Sequence, residues 1–306
     1  MLAASNTDNL IMQKIFFFFL LILSGCKNSA KQIPTSFTQV TSIEPVTKHD
    51  SFQTLKIINE AERKKRRKEI EDQEKYDSIQ LLKILDASLV YAAKNKEKNS
   101  FHYKFDMLTD DSSFNVVTNL SYGHLFSKDR KHLIVRRTVP WGVISSIYLL
   151  EESNFKKVCE VEPPANAFID DTLKDINGDR YKDFLVHTYS TSGCCRRNVY
   201  NVFLYFPKTG GFTSDYFFMN PTFSPNEKLI RGIEYGHPGE VGLYKYKWNG
   251  LRVDTIEFIY PYHNKKGQFI KTKKQVYLPT NNEGTVLKYL PKEYHRVESI
   301  EWFLDH

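Results

Sequence analysis

From residue 101 onward the chain consists of short runs of β-branched and aromatic residues broken by turn signals, and the pattern repeats. Such runs read as strands. Residues 131–137 (KHLIVRR), 181–187 (YKDFLVH) and 227–233 (EKLIRGI) match one another in kind. Each is followed, after a loop, by a longer pair of strands: 144–150 with 155–161, 199–206 with 212–218, and 241–248 with 251–259. The turns inside those pairs, Glu-Ser-Asn, Lys-Thr-Gly-Gly and Asn-Gly, are hairpin signals. Roughly three or four antiparallel strands at a period of about 50 residues predict a mainly β fold, either propeller-like blades or a continuous curled sheet. An ordinary β-sandwich whose hairpins share a rhythm fits the same pattern. A fourth unit would draw on 269–278 with Leu287 and 297–304, or on 101–120.

The part before residue 99 has a different texture. Residues 55–98 read as helical: a charged half with the basic block 63–68 (RKKRRK) flanked by Glu60, Glu62, Glu69, Glu71, Asp72 and Glu74, then an amphipathic half. In the second half Ile79, Leu82, Leu85, Leu89, Ala92 and Ala93 fall at spacings near three and four, so this face should pack on the β-domain. Mixed signs at helical spacing mark the first half as standing in water. The net charge of +7 is carried partly by that block. A sharper reading makes it a patch for anionic phospholipid or peptidoglycan.

Residues 26–54 are rich in Ser, Thr, Lys and Gln with no apolar period, and read as a flexible tether. Residues 15–23 (IFFFFLLIL) are preceded by Lys14 and followed by small residues. That run is too short to span a bilayer, which takes about 20 residues, and reads as the core of a signal peptide over 1–25. Met12 makes a more compact leader than Met1. Leu23-Ser24-Gly25-Cys26 resembles the lipobox of bacterial lipoproteins. The resemblance implies that Cys26 is acylated and anchors the chain to a membrane. Lys27 with no acidic run after it is similar to the sorting pattern of outer-membrane lipoproteins facing the periplasm. Export argues against a nucleic-acid partner.

One loop carries chemistry. Asp175, Asn177, Asp179 and Asp183 place oxygen-bearing side chains at positions one, three, five and nine, just before the apolar run 184–186. Calcium takes about six to eight oxygens, and alternate side chains of a tight turn plus the carbonyl of Tyr181 at position seven supply most of them. Water, Asp170 or Asp171 would complete the shell. The loop resembles the D-x-N-G-D-G-x-x-D motif of FG-GAP and VCBS repeats, the calcium-binding blades of integrin-like propellers. That resemblance implies a structural Ca²⁺. Arg180 departs from it where the family has glycine, at a cost of about 1 kcal/mol if the position needs a positive φ. Residues 127–131 and 224–228 occupy the corresponding places in the other units but lack the carboxylates, so Asx-type hydrogen bonds are expected to hold those turns.

Cys159, Cys194 and Cys195 cannot all pair in an oxidising compartment. Either Cys159 bonds one of the adjacent two, or Cys194 and Cys195 form a vicinal bridge. The compact loop around them favours the bridge. No nucleophile elbow, phosphate loop, metalloprotease helix or paired carboxylates can be placed, so the chain does not read as an enzyme. Two loops carry residue types typical of binding surfaces: 188–198, with Tyr189, Arg196 and Arg197, and 234–240, with Tyr235 and His237.

Taken together, the chain is similar to periplasmic calcium-binding lipoproteins that inhibit lysozyme-like hydrolases or act as immunity proteins against peptidoglycan-degrading effectors. That resemblance implies a protein-binding module whose Tyr189, Arg196 and Arg197 enter an acidic active-site cleft. The rival reading is a cell-envelope module that binds glycan or peptidoglycan.

Overall fold

The computed structural model describes residues 49–162, 167–191, 195, 198–277, 279–280 and 282–304, with side chains from 59 onward. Cys26, Cys194, Arg196, Arg197 and the stretch assigned to the signal peptide lie outside them. The chain divides into two compact units, residues 1–62 and 63–306. Of the first, only the helical residues 49–62 are described.

Helix α1 (His49–Lys94) opens inside the stretch read as tether. Its side chains from 59 to 75 are exposed throughout, as mixed charge at helical spacing requires. The buried stripe matches the expected one in part: Leu85, Leu89 and Ala92 pack on the first sheet, whereas Ile79, Leu82 and Ala93 do not. Ile79 and Leu82 are 46% and 57% exposed, while Gln80, Ile84, Leu85, Ser88 and Ala92 are buried. Polar partners made inside the protein set this face. Gln80 donates to Asp110 and accepts from its backbone N–H, and Ser88 returns its hydroxyl proton to the Ile84 carbonyl at 2.8 Å. Among the described residues no helix is long and apolar enough to cross a membrane.

The rest is mainly β: 17 strands in four antiparallel sheets, none closed into a barrel, among the described residues. The first sheet is a meander of β1 (Phe101–Leu108), β2 (Asn115–Gly123), β3 (His132–Val139), β4 (Gly142–Glu151) and β5 (Asn154–Val161). The second uses β6 (Ala167–Lys174), β7 (Asp183–Tyr189) and β8 (Asn198–Phe203). A small hairpin, β9 (Tyr205–Phe206) with β10 (Gly211–Phe212), intervenes before β11 (Tyr216–Met219), which pairs with β8. The third sheet runs in chain order through β12 (Pro221–Ser224), β13 (Leu229–Ile233), β14 (Leu243–Asn249), β15 (Arg252–Pro261), β16 (Phe269–Thr272) and β17 (Thr285–Leu287).

Both candidates for a fourth unit are therefore absorbed. Residues 101–120 extend the first sheet, and 269–272 with 285–287 extend the third. The C-terminal stretch is helical, ending in α2 (Glu301–Leu304). Its apolar residues Val297, Ile300 and Phe303 recur every third position, the rhythm of a tight helical turn, so they pack along one side onto the third sheet.

The runs of the central strands β3, β7 and β13 are almost continuously buried, so they read as apolar on both faces, whereas the outer strands β1, β5 and β6 are largely exposed. Leu133 and Val135 of β3 face Leu85 and Ala92 of α1, whereas Ile134 between them packs on Phe184 and Val186 of β7. Leu185, pointing the opposite way from its β7 neighbours, joins Val202, Ile230, Tyr244, Trp248, Phe258 and Tyr260. Ile233, Leu243 and Ile259 turn to the far side and meet Tyr294, Val297 and Phe303. The layers thus follow in series: helix, first sheet, second sheet, third sheet, C-terminal segment.

Candidate functional site

The loop between β6 and β7 is built from side chain to backbone hydrogen bonds. Asp175 accepts the N–H groups of Gly178 at 2.7 Å and Arg180 at 2.9 Å. Asn177 accepts from Asp179 N at 3.1 Å and donates its amide to Asp179 Oδ2 at 3.0 Å. Asp179 Oδ1 accepts from Tyr181 N at 2.9 Å. These are Asx turns in succession, each substituting a side-chain acceptor for a missing backbone one. Gly178 and Arg180 both take positive φ, +76° and +75°. The arginine therefore carries the strain expected of it.

Asp183 closes the loop from the first position of β7. It is fully buried, and its two oxygens accept from Ile176 N and Tyr205 N, both at 2.9 Å. This explains why the strand expected over 199–206 is broken in two. The Tyr205 N–H goes to a carboxylate rather than to a neighbouring strand, so the ladder stops at Phe203 and restarts as a separate hairpin. Burial pushes the Asp183 carboxyl up to about 7, against the two N–H bonds, and the negative charges of Asp179 and Asp175 push the same way.

The donor set matches a hard divalent cation in kind: carboxylate and amide oxygens, each oxygen still holding a lone pair beyond its one hydrogen bond. The like charges crowding a buried carboxyl are the imbalance a cation would relieve. In position, however, the acids are folded back on the backbone. No three Asp, Glu, His or Cys side chains close on a common point among the described residues. Asp170 and Asp171, the expected extra donors, are committed elsewhere. Asp171 makes a two-pronged ion pair with Arg136 of β3, at 2.6 and 2.7 Å, and Asp170 lies 3.6 Å from His187.

The three turns aligned by the repeat lie side by side. Lys182 donates its N–H to the Phe126 carbonyl at 3.3 Å, joining the loop to the turn at 127–131. On its other side a Cβ on Gly178 would sit 2.3 Å from the Pro225 carbonyl, so only glycine permits contact with the turn at 224–228. Ser127 holds its turn as expected, accepting from Arg130 N at 3.2 Å. Ser224 does not: its hydroxyl faces Arg231, and its turn closes through Lys228 N to Pro225 O at 3.0 Å.

The two loops marked for recognition also meet. Cys195 is buried with its Sγ 4.0 Å from His237 Nδ1. Tyr189 ends β7 at 39% exposure, and Tyr235 is 44% exposed. Asn220 binds their bases together by exchanging hydrogen bonds with the Asn198 backbone, at 2.7 and 3.0 Å, and donating to Ile233 O at 3.3 Å. Trp302 braces the second loop, donating from its indole to Gly236 O and accepting from Gly239 N, both at 3.0 Å. Cys159, on β5, forms no disulfide, and burial pushes its thiol up to about 12. The vicinal bridge rests on Cys194, outside the described residues.

No signal in the sequence pointed to a cleft beside these loops, where Glu234, Tyr260, Gln275 and Tyr277 join Tyr235 and His237. Its residues come from three separate stretches, 234–242, 260 and 275–277. No family model matches the chain, and no curated protein or solved structure matches it.

Proposed function

We propose that the chain is a lipoprotein anchored through Cys26 whose β-domain is a propeller-like, calcium-binding module that binds another protein, a peptidoglycan hydrolase that it inhibits or to which it confers immunity. The observation that carries the binding reading is the junction of the 188–198 and 234–240 loops at Cys195 and His237, with Tyr189 and Tyr235 exposed beside it. Aromatic side chains on loops held by a rigid sheet supply large contact area with little entropy to lose. Incubated in excess with a set of lysozyme-type hydrolases, the purified protein should abolish the activity of at least one. Undiminished activity across the set, with the protein instead retained on insoluble peptidoglycan, would favour the glycan-binding alternative.

Three sheets stacked in series, with their equivalent turns adjacent, support the propeller-like reading. Calcium would be held by Asp175, Asn177, Asp179, Asp183 and the Tyr181 carbonyl, and would neutralise the crowded carboxylates. With a dissociation constant of about 10⁻⁴ M, 1 mM calcium stabilises the fold by about 1.4 kcal/mol, or a rise of about 2–4 °C in melting temperature over EDTA. Equal melting curves in the two solutions would leave hydrogen bonds as the loop's only support.

A further inference from the structure

The cleft beside the two loops has a volume of about 520 Å³, within the range of side-chain and small-ligand sites. Its floor is the carboxylate of Glu234. Gln275 donates its amide to Glu234 Oε1 at 2.6 Å, and Tyr260 hydrogen-bonds the same carboxylate while accepting from Val276 N at 3.1 Å. Glycine at 242 makes this floor possible. A Cβ there would lie 2.4 Å from Glu234 Oε2 and 2.4 Å from the Tyr260 ring. Tyr235 and Tyr277 form walls, the latter 89% exposed, with His237 alongside and Glu240 also lining the opening.

The described residues lining the cleft include two acidic side chains, Glu234 and Glu240, and no lysine or arginine. This acidity stands out on a chain of net charge +7. Burial raises the Glu234 carboxyl, against the hydrogen bonds it accepts from Gln275, Tyr260 and the Gly242 N–H. Aromatic faces around such a group attract a cation as well, through their ring quadrupoles.

We propose that this cleft receives the guanidinium or ammonium head of an arginine or lysine side chain presented by a bound protein. The proposal rests on the protein-binding reading above and adds the chemistry that the site selects. The cation would settle against the Glu234 carboxylate, its stem lying between Tyr235 and Tyr277. Lowering Glu234's exposure to water beforehand makes the charge pair stronger than one formed on the open surface.

The test uses the full chain and three small probes: the acetylated amides of arginine, lysine and citrulline. Citrulline has the shape of arginine without its charge. Calorimetric or NMR titration should show saturable binding of the arginine probe and at least tenfold weaker binding of the citrulline probe. Glu234→Gln, which keeps the side chain's shape, should weaken the arginine probe at least tenfold, and Tyr277→Ala on the exposed wall should weaken it severalfold. Equal binding of arginine and citrulline, or a Glu234→Gln variant that binds like the wild type, would overturn the proposal. So would at least tenfold tighter binding in an Arg196→Ala/Arg197→Ala variant, because the chain's own arginines would then be the occupants. Probe binding without inhibition of any hydrolase supports the cleft and discards the hydrolase. Inhibition untouched by Glu234→Gln and Tyr277→Ala retains the hydrolase and discards the cleft.

Discussion

Replacing Asp183 by Ala is expected to lower the stability of the cation-free protein by about 2–5 kcal/mol, read from urea unfolding followed by far-UV circular dichroism. Among the described residues the carboxylate is the acceptor for the N–H groups of Ile176 and Tyr205, both residues being fully buried. Each orphaned buried donor costs about 1–3 kcal/mol. The isosteric Asp183→Asn keeps one acceptor and turns the other into a donor facing an N–H, so it should lose about half as much.

The pH dependence separates this role from a merely structural one. The folded carboxyl is raised to about 7 from 3.8, by burial first and by Asp179 and Asp175 as well. In that window the folded state holds the proton that the unfolded state has released. The group's contribution is therefore fully present below about pH 4 and falls away as pH rises toward 7, by at most on the order of 4 kcal/mol. Relative to the wild type, Asp183→Asn should then be more damaging at pH 4.5 than at pH 7.5 in EDTA. Calcium should narrow that difference by stabilising the ionised wild-type carboxylate. An Asp183→Asn penalty identical at both pH values would show that the carboxyl titrates normally.

Asp171→Ala is expected to be as damaging, by about 3–5 kcal/mol, because it strands the Arg136 guanidinium between the first two sheets. The pair is almost wholly enclosed, with side-chain exposures of 19% for Arg136 and 6% for Asp171. With the acid gone, Arg136 retains, among the described residues, the Ser121 hydroxyl at 3.2 Å. The desolvation of two charges offsets most of their attraction, so the double variant Arg136→Met/Asp171→Leu should recover most of the loss. A full double-mutant cycle measures the coupling. If Asp171→Ala and the double variant are equally unstable, the pair contributes through packing alone.

Local pattern was legible where one side of the argument decided everything. The central strand runs were visible because burial on both faces leaves no polar alternation to confuse them, and the Asx-turn loop because its spacing is set within nine or so residues. Of the helix face, Leu85, Leu89 and Ala92 were legible, but Ile79 and Leu82 fit an amphipathic spacing as well as Ile84 does and stay exposed. Gln80 and Ser88, polar and therefore discounted, are the residues that the tertiary contacts bury. The C-terminal residues Val297, Ile300 and Phe303 carried a period of three that was passed over in favour of strand composition.

By itself the sequence determined the elements whose hydrogen bonds and burial repeat within a few residues: antiparallel strands, their hairpin turns, the charged helix, the aspartate loop. Tertiary structure alone decided the partners drawn from distant stretches. It paired Asp171 with Arg136 rather than with a cation, gave the Tyr205 N–H to Asp183, and gathered Glu234, Tyr260 and Gln275 into one cleft. A buried charge or donor accepts whatever complementary group the packed sheets bring within hydrogen-bonding distance, and that distance is not written in any local spacing.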